Sequence, residues 1–121
     1  MPVVPRGDMR FADLPGRQSA DPWPRQLSAS CSVRLVRIAP GPRTPHRHPH
    51  SVEAVYVAEG NGTAWEDGVS TPVAAGDFVM VPRGVPHATV AAPGTDLLLV
   101  CFFPHPDLAG NLEELPGLLG P

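Results

Sequence analysis

Positive charge is in short supply in this chain. Nine basic residues stand against twelve acidic ones, for a formal net charge of -3, and only 17% of residues are charged at all. A phosphate backbone needs a basic stripe to dock on, and the chain has none, so nucleic acid is not an expected partner. Cysteine is as scarce. Cys31 and Cys101 stand far apart with no paired spacing, which fits two small buried hydrophobes in a reducing compartment better than a disulfide scaffold, with one bridge left open. Long apolar runs are missing too: the opening MPVVPRGDMR has none that would serve as a signal peptide or membrane span. A cytoplasmic setting without a membrane partner is the expectation. Helical periodicity is almost absent, which leaves strands and turns to build the body.

What the chain has is punctuation. Seventeen prolines and twelve glycines break its 121 residues into short pieces, and the length suits one domain with a usable core and little area to spare. Residues 1–30 carry Pro2, Pro5, Pro15, Pro22 and Pro24 among polar residues and read as an extended N-terminal arm. Met9, Phe11, Leu14, Trp23 and Leu27 are its isolated apolar anchors, suited to covering this subunit or a neighbour, and no chemistry is expected there. Residues 31–104 read as the folded body. SCSVRLVRIA, from Ser30, has the β-branched alternation of a strand, ended by Gly41 and Pro42. Turns at GNG and EDG separate further short strands, and TDLLLVCFF is the most hydrophobic of them. Residues 105–121 form a tail in which Leu108, Leu112 and Leu115 suggest one or two helical turns. Seven to nine short strands with Gly/Pro turns indicate an all-β sandwich or barrel.

The chemistry concentrates between Gly41 and Gly60, GPRTPHRHPHSVEAVYVAEG. In an extended backbone His46, His48 and His50 share one face. Glu53 has the wrong parity for that face unless Pro49 and Ser51 mark a turn, in which case it returns from the next strand toward the same interior. Downstream, GDFVMVPRGVPH supplies His87 beyond a stiff Pro/Gly turn. Three imidazoles and a carboxylate suit a borderline divalent cation, one per chain, such as iron, zinc, manganese, nickel or cobalt, and leave about two octahedral positions open. His46, His48, Glu53 and His87 are therefore the candidate metal ligands, while His50 and His105 read as a surface patch. Arg34, Tyr56 and Trp65 are the leading candidates to line a pocket, with Arg37, Thr63, Met80 and Cys101 behind them; an arginine there would meet an anionic oxygen.

These residues resemble the cupins, small jelly-roll β-barrels. The family's first motif, a glycine, two histidines flanking one residue, a glutamate and a closing glycine, corresponds to Gly41, His46, His48, Glu53 and Gly60. Its second, glycine, proline, glycine and histidine, corresponds to Gly76, Pro82, Gly84 and His87; where that motif often closes with asparagine, this chain has Ala91. The resemblance spans about Val33 to Phe103. It implies a cupin-like jelly-roll β-barrel, here with a short C-terminal helical turn, and the same four metal ligands. It permits oxygenases, isomerases, decarboxylases, lyases, cyclases and plain binders, and a shared fold does not choose among them. The leading expectation is a metal-dependent enzyme acting on a small oxygen-bearing molecule, with a lean toward Fe(II)-type dioxygenase chemistry. A cyclase or isomerase of secondary metabolism and a non-catalytic metal or small-molecule binder are the alternatives. Scattered apolar anchors in the arm and the Leu-rich tail suggest a homodimer.

Overall fold

The computed structural model describes residues 3–23 and 29–120; Leu27, one of the arm's apolar anchors, lies outside the described residues. A 3-10 turn over Arg6–Asp8 precedes strands β1 (Phe11–Leu14), β2 (Arg17–Ala20), β3 (Ser32–Ile38), β4 (His46–Arg47), β5 (Glu53–Glu59), β6 (Asn61–Glu66), β7 (Val69–Ala74), β8 (Phe78–Val81), β9 (His87–Ala91) and β10 (Leu97–Phe103). A second 3-10 turn at Ala109–Asn111 leads into β11 (Glu113–Glu114). The strands make two antiparallel sheets, ordered β1-β2-β3-β10-β5-β8 and β11-β4-β9-β6-β7. This is an all-β jelly roll.

Period-two alternation decides which side chains fill it. In β10 Leu97, Leu99, Cys101 and Phe103 point inward and are buried, and in β5 so do Glu53, Val55 and Val57. With Val36 and Ile38 from β3 and Val73 and Ala91 from the opposite sheet, they form one continuous core. Each large apolar side chain so buried contributes about 1.5–3 kcal/mol against the entropy of ordering the chain. Strand β10 sits between β3 and β5, paired to both along its length. At the β5–β6 junction Gly60 has φ +85°, and a Cβ there would run into the carbonyl of Asp96. The glycine that closes the first histidine stretch is thus required by a backbone crossing.

Two segments differ from their sequence reading. The N-terminal segment holds a hairpin: β1 pairs β2, and β2 extends the six-stranded sheet along β3 through Gln18, Ser19 and Ala20. RQSA is too short and polar to announce a strand, and becomes one because β3 offers it an open edge. Phe11 lies under the Arg37 guanidinium, 5.1 Å from ring centroid to Cζ, so this part of the segment covers its own subunit. In the tail, the expected helical turns reduce to the 3-10 turn; β11 then pairs with β4, and Arg43 bridges to Leu119. The tail therefore closes over the strand that carries the first histidine.

Candidate metal centre

His46 and His48 lie at and just beyond β4, Glu53 opens β5 and His87 opens β9, where it stands directly opposite His46. A turn through Pro49, His50 and Ser51 brings Glu53 back to the histidine face, as the parity argument requires. All four side chains are buried, and one ligand atom from each lies within 4.8 Å of the others. The three imidazole centroids form a triangle with sides of 4.4, 5.0 and 5.1 Å. This cluster can hold a metal ion.

The hydrogen bonds say which nitrogens face the centre. His48 Nδ1 lies 2.8 Å from the backbone oxygen of Asn111, and His87 Nδ1 lies 2.9 Å from that of Val85. A carbonyl oxygen can only accept, so each Nδ1 carries a proton and each Nε2 is turned inward, where it can ligate an ion or, protonated, donate to Glu53. There His87 Nε2 stands 2.9 Å and His48 Nε2 3.3 Å from Glu53 Oε1. Such close approaches to a carboxylate oxygen call for positive charge among them, a proton on Nε2 or a metal ion. His46 Nδ1 and His48 Nε2 are buried without a hydrogen-bond partner among the described residues, and a divalent ion satisfies both the orphaned nitrogens and the carboxylate.

Electrostatics agree. Burial, reinforced by His87, holds His46 well below its ordinary pKa, so its ring is neutral and ready to ligate near pH 7. Burial works against ionised Glu53, but hydrogen bonding and charge from His48 and His87 outweigh it and keep the carboxyl far below the usual carboxylate range. Burial, with Glu53 nearby, pushes the Cys101 thiol up and keeps it protonated.

The cluster opens into a cavity of about 460 Å³, a size that admits a small organic molecule. Arg34, Trp65 and Cys101 line it, and Met80 borders it although the alternation of β8 turns its side chain to the outer face. Arg34 is engaged by Asp21 Oδ2 at 3.5 Å and the Trp65 indole donates to the Gly120 carbonyl at 3.1 Å. Tyr56 corrects the pocket expectation: it sits between inward-facing Val55 and Val57, and so lies on the outer face against Phe78. Arg37 and Thr63 are likewise outside the cavity lining. His50 is exposed and stacks on His105, away from the cluster.

Three contributors went unnoticed in the sequence. Arg17, from the N-terminal segment, and Arg43, from the loop before β4, both line the cavity. Asn111, wholly buried, donates from Nδ2 to Ser51 Oγ at 2.8 Å and accepts the His50 N–H at 2.7 Å, while its carbonyl holds His48. Its presence in a polar tail gives no periodic signal.

A two-sheet jelly roll with three histidines and a glutamate buried at one end of its interior defines a class, small β-barrels built to hold a metal ion beside a cavity. The chain belongs to the cupin domain family, whose profile matches residues 34–103. It is 33% identical over 84 residues to the L-ectoine synthase of Halomonas elongata, an alignment covering 68% of this chain. The chain spans 59% of the length of that relative. Among solved structures, it is similar to the polyketide cyclase RemF from Streptomyces resistomycificus, at 22% identity and a TM-score of 0.76, covering 99% of this chain and 84% of that one. It is also similar to Pac13 of Streptomyces, a nucleoside dehydratase, at 14% identity and a TM-score of 0.75, covering 95% and 91%. These structural likenesses establish the fold.

Proposed function

We propose that this cupin is a metal-dependent enzyme in which His46, His48, Glu53 and His87 bind one divalent ion per chain, and that it acts on a small oxygen-bearing molecule without redox change, as a cyclase, dehydratase or related lyase. The observation that carries the reading is the pair of Nε2 atoms, from His48 and His87, facing Glu53 Oε1 at the wall of a substrate-sized cavity. A bound ion would supply Lewis acidity toward a hydroxyl or carbonyl oxygen. The chain's own part is to keep His46 neutral, to hold His48 and His87 on the Asn111 and Val85 carbonyls, and to keep water from the apolar wall formed by Val36, Ile38 and Leu99. The names of the similar proteins, a cyclase, a dehydratase and a synthase, support non-redox chemistry over the dioxygenase expectation.

The test is elemental analysis of protein purified without a histidine tag or added metal, joined to oxygen-uptake measurements on iron-loaded protein with candidate substrates. Zinc, manganese, nickel or cobalt near one per chain supports the proposal; iron with substrate-dependent oxygen uptake overturns its non-redox part. His87→Ala should lower metal occupancy at least tenfold, whereas His50→Ala should leave it unchanged. Full occupancy in His87→Ala would sink the ligand assignment.

The same reading includes a homodimer. Tyr56, Phe78, Met80, Val100 and Phe102 share the outer face of the six-stranded sheet, and Phe78 is 79% exposed beside the unpaired edge of β8. A continuous apolar face next to an open strand edge favours a second sheet against it. The cytoplasm suits a chain whose cysteines stay as thiols: β10 register puts Cys101 opposite Arg34, and no disulfide forms among the described residues.

A further inference from the structure

We propose that Arg43 forms a carboxylate-binding subsite on the wall of the metal cavity, so that the substrate is a small acid whose carboxylate docks on this guanidinium while another oxygen reaches the metal. The inference rests on the reading of the cavity as a substrate site. Arg43 is 3% exposed, yet it lines the cavity that also contains His46, His48, Glu53 and His87. Its Nη1 donates to the Thr89 carbonyl at 2.7 Å, which fixes the plane of the group. Its Nε and Nη2 are buried with no hydrogen-bond partner among the described residues.

Those two atoms are not an arbitrary pair. With Nη1 committed to Thr89, Nε and Nη2 are the two donors along one edge of the guanidinium, whose parallel N–H bonds match the two oxygens of a carboxylate. A buried donor left unmade costs about 1–3 kcal/mol, so two such donors side by side mark a place where the partner comes from outside the chain. Gly16, at φ +69°, packs beside the guanidinium, and a Cβ there would stand 3.2 Å from Nε and 3.4 Å from Cγ of Arg43. Any larger residue would press on the fork.

Charge points the same way. Arg17 lies close enough to lower the pKa of Arg43, but its own guanidinium is already taken by Glu114 Oε1 at 2.9 Å and the Pro15 carbonyl at 2.9 Å. Burial and Arg17 bring Arg43 down to about 10, which leaves it cationic at neutral pH. The lining sets Arg17, Arg34 and Arg43 against Glu53, Glu66 and Asp77, so a divalent ion bound there would leave an excess of positive charge for an anion to meet. Most of the rest of the lining, including Val36, Ile38 and Leu99, is apolar, with Arg34, Glu66 and Asp77 also on it, so the body of the acid is compact and largely hydrophobic.

The experiment compares salicylate with salicylamide, which share a ring and a hydroxyl and differ in carboxylate against neutral amide. Binding is measured by calorimetry at pH 7 on the full chain, zinc-loaded and chelator-treated, for the native protein, Arg43→Met and Arg43→Lys, with zinc content determined on each. Native protein should prefer salicylate by about ten- to a hundredfold. Arg43→Met should reduce that preference to within about threefold with zinc content unchanged, and Arg43→Lys, which keeps the charge but loses the fork, should retain an intermediate preference. Equal binding of the two probes by native protein, or binding of neither at millimolar concentration, overturns the subsite. So does a preference that survives intact in Arg43→Met, because the ion alone then selects the carboxylate. If zinc fails to bind while the Arg43-dependent preference persists in chelator-treated protein, the subsite stands and the metal reading falls.

Discussion

Replacing Asn111 with leucine should damage the metal centre from a distance, although no atom of its side chain touches a ligand ring. The Asn111 side chain ties the 3-10 turn of the tail to the turn between β4 and β5 through Ser51 Oγ and the His50 N–H, and the turn in place offers its carbonyl to His48 Nδ1. Leucine is close in volume but leaves the Ser51 hydroxyl without its donor and the His50 N–H without its acceptor. At about 1–3 kcal/mol for each buried group left unmade, the metal-free protein should lose about 2–5 kcal/mol of stability. The carbonyl that sets the His48 tautomer then shifts with the turn, and losing such an orienting partner weakens metal affinity about ten- to a hundredfold. Urea denaturation of chelator-treated protein reads the first quantity, and competition with a chromophoric zinc chelator reads the second. Ser51→Ala is the internal comparison: it leaves Asn111 Nδ2 without its acceptor and Val52 without the hydroxyl but keeps the His50 N–H satisfied, and should cost about 1–3 kcal/mol and change affinity less than threefold. If Asn111→Leu unfolds at the native urea concentration and holds zinc as tightly as the native chain, the tail does not organise the site and the reasoning fails.

Two further outcomes follow from the same structure. Burial keeps Cys101 protonated in the folded state, whereas an exposed thiol ionises near pH 8.5. A group whose folded pKa is raised contributes stability that is complete below its unfolded pKa and lost above it, so stability should fall by about 1–2 kcal/mol between pH 8 and 10, and Cys101→Ala should flatten that limb. A limb of equal slope in Cys101→Ala would place its origin elsewhere. Phe78→Asp, which puts a charge at the most exposed large aromatic of the β8 edge, should convert a two-chain particle to a single chain in light scattering while metal content stays the same; an unchanged particle would show that this face is not the contact.

The convergence of the three histidines and the glutamate was legible because two local rules and the second motif suffice for it. Even spacing puts His46 and His48 on one face, and a proline-marked turn returns Glu53 to it; the structure keeps both relations. The same parity, carried two residues further, assigns Val55 and Val57 to the interior and Tyr56 to the outside, so the misplacement of Tyr56 was avoidable once Glu53 pointed inward. Arg43 is a different case. Pro40, Pro42 and Pro45 interrupt the alternation around it, and its orientation comes from a carbonyl on β9 that is 46 positions away in sequence. No window of local sequence contains that information. The N-terminal hairpin was hidden for a related reason: Arg17 and Ser19 reach the cavity because β2 adds to the edge of β3, and an available edge is a property of the assembled sheet.

The inward-facing Nε2 atoms also decide how the metal-free protein behaves. With both Nδ1 protons held by backbone carbonyls, the centre made by His48, His87 and Glu53 is short of one cation, and protons can supply it when no metal does. Metal and protons therefore compete for the same atoms. A metal bound by the folded chain and not by the unfolded one stabilises by about 4 kcal/mol at a free concentration a thousandfold above its dissociation constant. For a chain of this length that is a rise in melting temperature of about 10–20 °C. The rise should shrink as pH falls, because protons compete with the ion for the same ligand atoms. Calorimetric scans of chelated and zinc-loaded protein at pH 7, 6 and 5 measure it directly, with His46→Ala as the variant in which the rise should largely disappear. A loaded protein that contains zinc by elemental analysis, yet melts with the chelated one at every pH, would mean the ion sits outside this cluster.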